Sequence, residues 1–193
     1  PGDLAPLWDA PAGAATIGGV VAAGISGPRR FAAGAPRDHL LGFAAVNGHG
    51  ERFKAGGRVV KNVTGYDLPK LAAGSFGTLC VMTELTLRAV PRGAARAVLA
   101  IEGLDADKAL TTLRAIAASP FDPTGLAFVP AVAAARVGPY AASLTLVRLE
   151  GQTEGVSARA VELSRTLARG ATELEDQEGA MFFRALADVD AIF

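Results

Sequence analysis

The chain has 193 residues, half of them apolar and a fifth charged, enough for the core of one large or two small domains. Nineteen basic residues balance nineteen acidic ones, so charge gives no reason to expect a nucleic-acid partner or an anionic membrane surface. The single cysteine, Cys80, excludes an internal disulfide and a zinc cluster, which favours a reducing, cytoplasmic setting.

Taken in chain order, residues 1–15 read as an extended lead-in rich in Pro, Gly and Ala, anchored by Trp8. Pro1 is not an initiator Met, so the chain reads as an internal piece or a processed product. No signal peptide is expected. Thr16 is an N-cap candidate for the small apolar run to Gly24, with Gly18 and Gly19 in the first turn. Residues 25–37 read as loop, broken by Gly and Pro. Asp38 to Val46 has strand length, and Asn47-Gly48-His49-Gly50 predicts a hairpin into a second strand ended by Gly56-Gly57. Asp67 to Ala73 reads as a short helix closed by Gly74. Gly77 to Ala89 contains VMTELTLRA, whose alternating apolar and polar residues read as a strand. Pro91-Arg92-Gly93 marks a domain boundary, giving domains 1–91 and 92–193.

The second half predicts a strand at Arg96–Ile101 and a helix capped by Asp105 and ended at Ser119-Pro120. Strands at Gly125–Val129 and Ser143–Leu149 follow. A helix runs from Thr153 to about Arg169, before Gly170, and Ala171–Leu174 is a last strand. That order is βαββαβ, the ferredoxin-like arrangement. Residues 177–193 read as a further helix that the sequence cuts off. No apolar run has the length of a spanning helix, so direct membrane insertion is not expected.

Three glycine-bearing segments carry the chemistry: Thr16-Ile17-Gly18-Gly19, Lys61 to Leu68 (KNVTGYDL), and Gly74 to Glu84 (GSFGTLCVMTE). A glycine lets a phosphate or flat ring approach the main chain, and N–H groups at a helix start attract anions. The competing reading is structural: a Gly-Gly contact between helix and sheet, and ordinary turns with capping hydroxyls. None of the segments is a Walker loop or a Rossmann fingerprint, which removes a nicotinamide enzyme from consideration. His39 and His49 sit far from any second ligand at metal spacing, so no metal site is expected.

In this order, with Gly27-Pro28-Arg29-Arg30 and Arg37-Asp38-His39-Leu40-Leu41-Gly42 between them, the segments resemble a known family. It is the vanillyl-alcohol oxidase type of FAD-linked oxidase, in its D-lactate and glycolate dehydrogenase branch. The resemblance covers about residues 10–91. Gly27–Arg30 and Arg148-Leu149-Glu150-Gly151 resemble the smaller flavin-domain subunit of glycolate oxidases. It implies an α+β fold, with part of a PCMH-type FAD-binding domain followed by a ferredoxin-like cap. It also implies non-covalent FAD held by Thr16, Ile17, Gly18, Gly19, Gly24, Gly27, Gly74, Ser75, Gly77, Thr78 and Val81. The implied reaction is glycolate to glyoxylate, with electrons leaving through a partner iron–sulfur subunit; a larger flavin-domain subunit is the other implied partner. Any membrane association would run through those partners.

Phe76 and Cys80 stand where the family usually has Glu and Gly, and no glycine-rich phosphate loop precedes Thr16. Phe76 removes a carboxylate from the flavin edge, and Cys80 is expected to add bulk where the backbone approaches closely. No catalytic residue is assigned. Arg29, Arg30 and Arg37 are candidates to clamp a substrate carboxylate, against the reading that they pair locally or face solvent. His39 falls inside an expected strand, His49 in a turn, and Tyr66 is the remaining candidate to face a substrate. In related catalytic subunits a His cluster binds metal and substrate, and this chain has none in its cap. The resemblance therefore implies that the larger subunit carries the glycolate chemistry and this one relays electrons or assembles the complex. The alternative is a non-catalytic assembly module that no longer binds FAD.

Overall fold

The computed structural model describes residues 16–59, 65–91 and 93–187. The Trp8 lead-in, Lys61–Thr64, Arg92 and the end of the expected C-terminal helix lie outside the described residues. The chain divides into two compact units, Pro1–Gly27 with Gly34–Pro91, and Pro28–Ala33 with Arg92–Phe193.

The first unit opens on α1 (Ile17–Ala23). Thr16 is extended, and its hydroxyl accepts the Gly19 N–H at 3.0 Å, as expected of the N-cap. The chain then passes through α2 (Arg30–Ala33), which belongs to the second unit, and returns at α3 (Pro36–His39). These two short helices replace the loop expected over 25–37. The cause of α3 is local: Pro36 supplies helical φ at the first position, and the Asp38 carboxylate accepts the Ala35 N–H at 2.8 Å. His39 therefore ends a helix instead of lying in a strand.

β1 (Leu40–Asn47) and β2 (Arg52–Gly56) form the expected hairpin. Asn47 shapes it, since its side-chain oxygen accepts the N–H groups of His49 (2.9 Å) and Glu51 (3.0 Å). α4 (Leu68–Ala72) is capped by Asp67, and β3 (Cys80–Leu87) pairs antiparallel with the other edge of β1. The sheet order is β2-β1-β3. Gly42 opposes Gly56 in the hairpin, and a Cβ on Gly42 would stand 2.6 Å from the Gly57 nitrogen. Only glycine allows that closeness. The core is small: Val21, Leu40, Phe43, Ala45, Ala72 and Cys80.

The second unit contains β4 (Ala95–Glu102), α5 (Ala106–Ala117), β5 (Gly125–Val129), α6 (Ala131–Val137), β6 (Leu144–Gly151), α7 (Thr153–Arg165), β7 (Thr172–Glu173) and α8 (Asp176–Ala187). The sheet is antiparallel in the order β5-β6-β4-β7, which is ferredoxin-like. α6 was not expected. α7 stops four residues earlier than Arg169, because Thr166 leaves helical geometry (φ −109, ψ −88) and 166–170 turn.

Both faces of this sheet are covered. Leu99, Ile101, Val147 and Leu149 pack with Ile116, Val156 and Leu163 of α5 and α7. Val98, Ala100, Leu144 and Leu146 pack with Ala134 of α6 and Phe182 and Phe183 of α8. Strand alternation sends adjacent side chains to opposite cores, so β4 and β6 read as almost continuous apolar runs. Tyr140 helps dock α8: its ring meets Phe182 edge-on and its hydroxyl donates to Glu178 at 2.7 Å. Among the described residues no helix is long and apolar enough to cross a membrane.

Candidate functional site

Two of the three glycine segments meet in the first unit. The N–H of Gly74 donates to the Val21 carbonyl at 3.0 Å, and that of Phe76 to the Ala22 carbonyl at 2.8 Å. The end of α1 is thereby joined to the turn before β3. The join depends on Gly24, whose φ is +66 and whose missing Cβ would stand 2.8 Å from the Gly74 Cα. Any larger side chain would push the two segments apart. Thus Thr16–Gly24 and Gly74–Cys80, distant in sequence, form one continuous wall.

The wall has a distinct chemical make-up. Positions Gly18, Gly74 and Gly77 have open space where a Cβ would be. The hydroxyls of Ser26 and Ser75 are buried and without a hydrogen-bond partner. Buried polar atoms are ordinarily paired, and among the described residues Thr145 of the second unit is the other side chain in this state. Ile17, Ile25, Phe76, Leu79 and Val81 are exposed apolar side chains along it. Thr78 holds the turn itself, its hydroxyl donating to the Ser75 carbonyl at 2.6 Å. Phe76 is 71% exposed and sits at φ +53, a conformation rare for a side chain without local hydrogen-bonding capacity.

Cys80 corrects one expectation. Its side chain turns into the core with Val21 and Phe43 and does not crowd the wall, and burial pushes its thiol pKa up. Ile25, Ser26 and Leu79 were not named individually, although they lie within Gly24–Gly27 and Ser75–Val81, the stretches the resemblance implied to line the flavin. The hydroxyl between Gly24 and Gly27 was the available signal for Ser26.

The catalytic candidates are differently placed. Arg29 lies in the second unit and is paired with Glu150 at 2.9 Å. Arg30 is exposed on α2. Arg37 is exposed and 3.9 Å from its neighbour Asp38. His39 is buried, with Nδ1 3.3 Å from the Arg88 carbonyl. His49 is exposed in the hairpin turn, and Tyr66 is 94% exposed. Arg37 and Tyr66 share an open groove of about 510 Å³ with Lys54, Asp67 and Lys70, bordered by Val59 and Gly65. Among the described residues no group of three or more His, Cys, Asp or Glu side chains could hold a metal ion.

The architecture is that of the alkyldihydroxyacetonephosphate synthase structures. One of them overlays 89% of this chain and 36% of its own with a TM-score of 0.68 at 17% identity, a likeness of fold alone. In sequence the chain is similar to glycolate oxidase subunit GlcE of Escherichia coli, 49% identical over 78 residues, 40% of this chain and 22% of the relative. It is 34% identical to glycolate oxidase subunit GlcD of Bacillus subtilis over 114 residues, 59% of this chain and 24% of the relative. It is 40% identical to D-lactate dehydrogenase of Archaeoglobus fulgidus over 87 residues, 45% of this chain and 20% of the relative. The chain thus spans about a quarter or less of the length of these curated relatives. No protein-family model matches it. The resemblance read from the glycine segments is therefore to this group of oxidoreductases, and the fold is the α+β one it implied.

Proposed function

We propose that this chain is part of an FAD-binding subunit of a glycolate oxidase complex, an FAD-dependent 2-hydroxy-acid oxidoreductase. The observation that carries the reading is the join of Thr16–Gly24 to Gly74–Cys80 through Gly24, with similarity to named glycolate oxidase and D-lactate dehydrogenase proteins behind it. The wall fits a flavin. Open glycine positions admit a flat ring, exposed Ile17, Leu79 and Val81 offer it apolar contact, and the orphan hydroxyls of Ser26 and Ser75 suit its polar atoms. Thr16, Ile17, Gly18, Gly19, Gly24 and Gly27 form one side of this site. Gly74, Ser75, Gly77, Thr78 and Val81 form the other.

Held there without a covalent link, FAD would supply a two-electron carrier that relays electrons in the oxidation of a small 2-hydroxy acid such as glycolate. This chain's own residues bind and orient. No acid, base or carboxylate clamp is assigned to it, since Arg29 is engaged with Glu150 and Arg37 lies beside Asp38. In this reading the larger flavin-domain subunit carries the glycolate chemistry, electrons leave through an iron–sulfur subunit, and the complex is cytoplasmic, reaching a membrane only through partners. Residues 1–91 serve the flavin and 92–193 the cap.

The test is the visible absorption spectrum after excess FAD and desalting. A retained flavin band is expected. A colourless protein that stays folded would favour the second reading, a non-catalytic assembly module, for which exposed Phe76 at the flavin edge is the specific observation.

A further inference from the structure

The open groove of about 510 Å³ in the first unit shares no residue with the flavin wall. One side is the edge of β2, with Lys54 and Gly56, and the other is α4 with Lys70; Arg37 and Tyr66 complete it. The two sides are fixed to each other. A Cβ on Gly56 would stand 2.8 Å from Pro69 Cγ, so the end of β2 lies directly on α4.

The strand that borders this groove has main-chain groups to offer. The Asn47 N–H donates to the Glu51 carbonyl at 3.0 Å, and the Gly57 N–H to the Leu41 carbonyl at 3.1 Å. Between those bonds Ala45 opposes Phe53 and Phe43 opposes Ala55. Antiparallel alternation then turns the main-chain groups of Phe53 and Ala55 toward β1 and those of Arg52 and Lys54 away from it. β2 is an edge strand, and these outward N–H and C=O groups make no hydrogen bond among the described residues. An open edge of this kind is a template for an added strand.

Charge selects what is added. The carboxylates in the groove are already engaged: Asp38 accepts the Ala35 N–H at 2.8 Å, and Asp67 accepts the Lys70 N–H at 3.2 Å. Lys54 makes no ion pair among the described residues. A second copy pairing through β2 would set Arg52 and Lys54 against their own like charges, which disfavours it. An acidic strand meets cations instead. Tyr66, 94% exposed, with exposed Val59 and Leu68 beside it, offers apolar contact to the alternate side chains.

We propose that the β2–α4 groove docks an extended segment of a partner protein, in which acidic and apolar residues alternate, as a fourth strand on β2. Its main chain bonds to Arg52 and Lys54, and its carboxylates face the cations.

The probe is a peptide of four Glu-Val repeats, blocked at both ends, titrated into the 193-residue chain and read by fluorescence anisotropy and amide exchange. At saturation the Arg52 and Lys54 amides are expected to exchange about tenfold more slowly. The same peptide methylated at every peptide nitrogen keeps its charge and loses its strand bonds, and should bind about tenfold more weakly. Four Lys-Val repeats should bind more weakly by at least about tenfold. Lys54→Glu should weaken binding of the Glu-Val peptide about tenfold, and Lys70→Glu supplies the charge reversal should that variant fail to fold. No binding, unslowed Arg52 and Lys54 amides, or equal binding of the methylated peptide overturns the proposal. A chain that sediments as a dimer with those two amides already protected overturns it too, since a second copy would hold the edge. None of these readings uses FAD, so a chain that binds no flavin would remove the function proposed above and leave this test standing.

Discussion

The two units solve the problem of burying a sheet in opposite ways. In the second unit helices cover both faces of β5-β6-β4-β7, and Leu144, Leu146, Leu149, Leu163, Ile116 and Phe182 are fully buried. In the first unit three strands enclose one small core, and Ile17, Ile25, Phe76, Leu79 and Val81 remain exposed along the wall. The second unit also exposes single apolar residues such as Val132 and Val161, as is ordinary; under the proposed function the five in the first unit would instead contact the flavin. The second unit is built for stability. The first leaves apolar surface uncovered where the proposed flavin would lie.

The sharpest way to break this contrast is a pair of truncations. Leu146→Ala should destabilise the second unit by about 3–5 kcal/mol in denaturant unfolding, from lost transfer energy plus a cavity. Val81→Ala in the wall should cost no more than about 0.5 kcal/mol, since its side chain is exposed. Comparable losses would mean the wall is core.

Gly24→Ala comes next, at about 2–3 kcal/mol, because it adds a Cβ against Gly74 at positive φ. Its effect should appear in the first unit only, read by exchange across β1 and β3.

Tyr140→Phe should cost about 1 kcal/mol, the value of one hydrogen bond to a carboxylate in partial exposure. It also has a pH signature. Burial, and then the bond to Glu178, push the Tyr140 pKa from 10.0 up to about 12. A folded pKa above the unfolded one gives stability that is full below pH 10.0 and fades as pH rises toward about 12. Thermal unfolding of the wild type should lose stability across that window by a step that Tyr140→Phe lacks.

Phe76→Gly should stay within about 1 kcal/mol of the wild type in stability, as relief of positive φ offsets the entropy of glycine. If FAD retention improves in this variant, Phe76 is an obstacle at the flavin edge. If retention falls, its ring contributes to the site.

What could be read in the sequence divides along physical lines. Caps and tight turns are local, so the Thr16 and Asp105 caps and the Asn47 hairpin were legible from a few residues each. α6 was missed although Pro130 precedes it and Gly138 follows, because seven residues of AVAAARV show no clear apolar period. His39 was misplaced because its helical turn depends on Asp38 reaching back to the Ala35 N–H. The inward turn of Cys80 and the Gly24–Gly74 contact depend on pairing between distant segments, which no local pattern encodes. The same is true of Arg29 meeting Glu150: both stretches stood out, but their meeting is tertiary. The glycine segments themselves were legible because their order along the chain, not any one of them, is specific.

The most direct test of the account is hydrogen exchange of the wild-type chain with and without FAD. Protection confined to 16–27 and 74–81, with the β4–β6 core unchanged, is the predicted result. Bound flavin that leaves both segments as fast as before would contradict it.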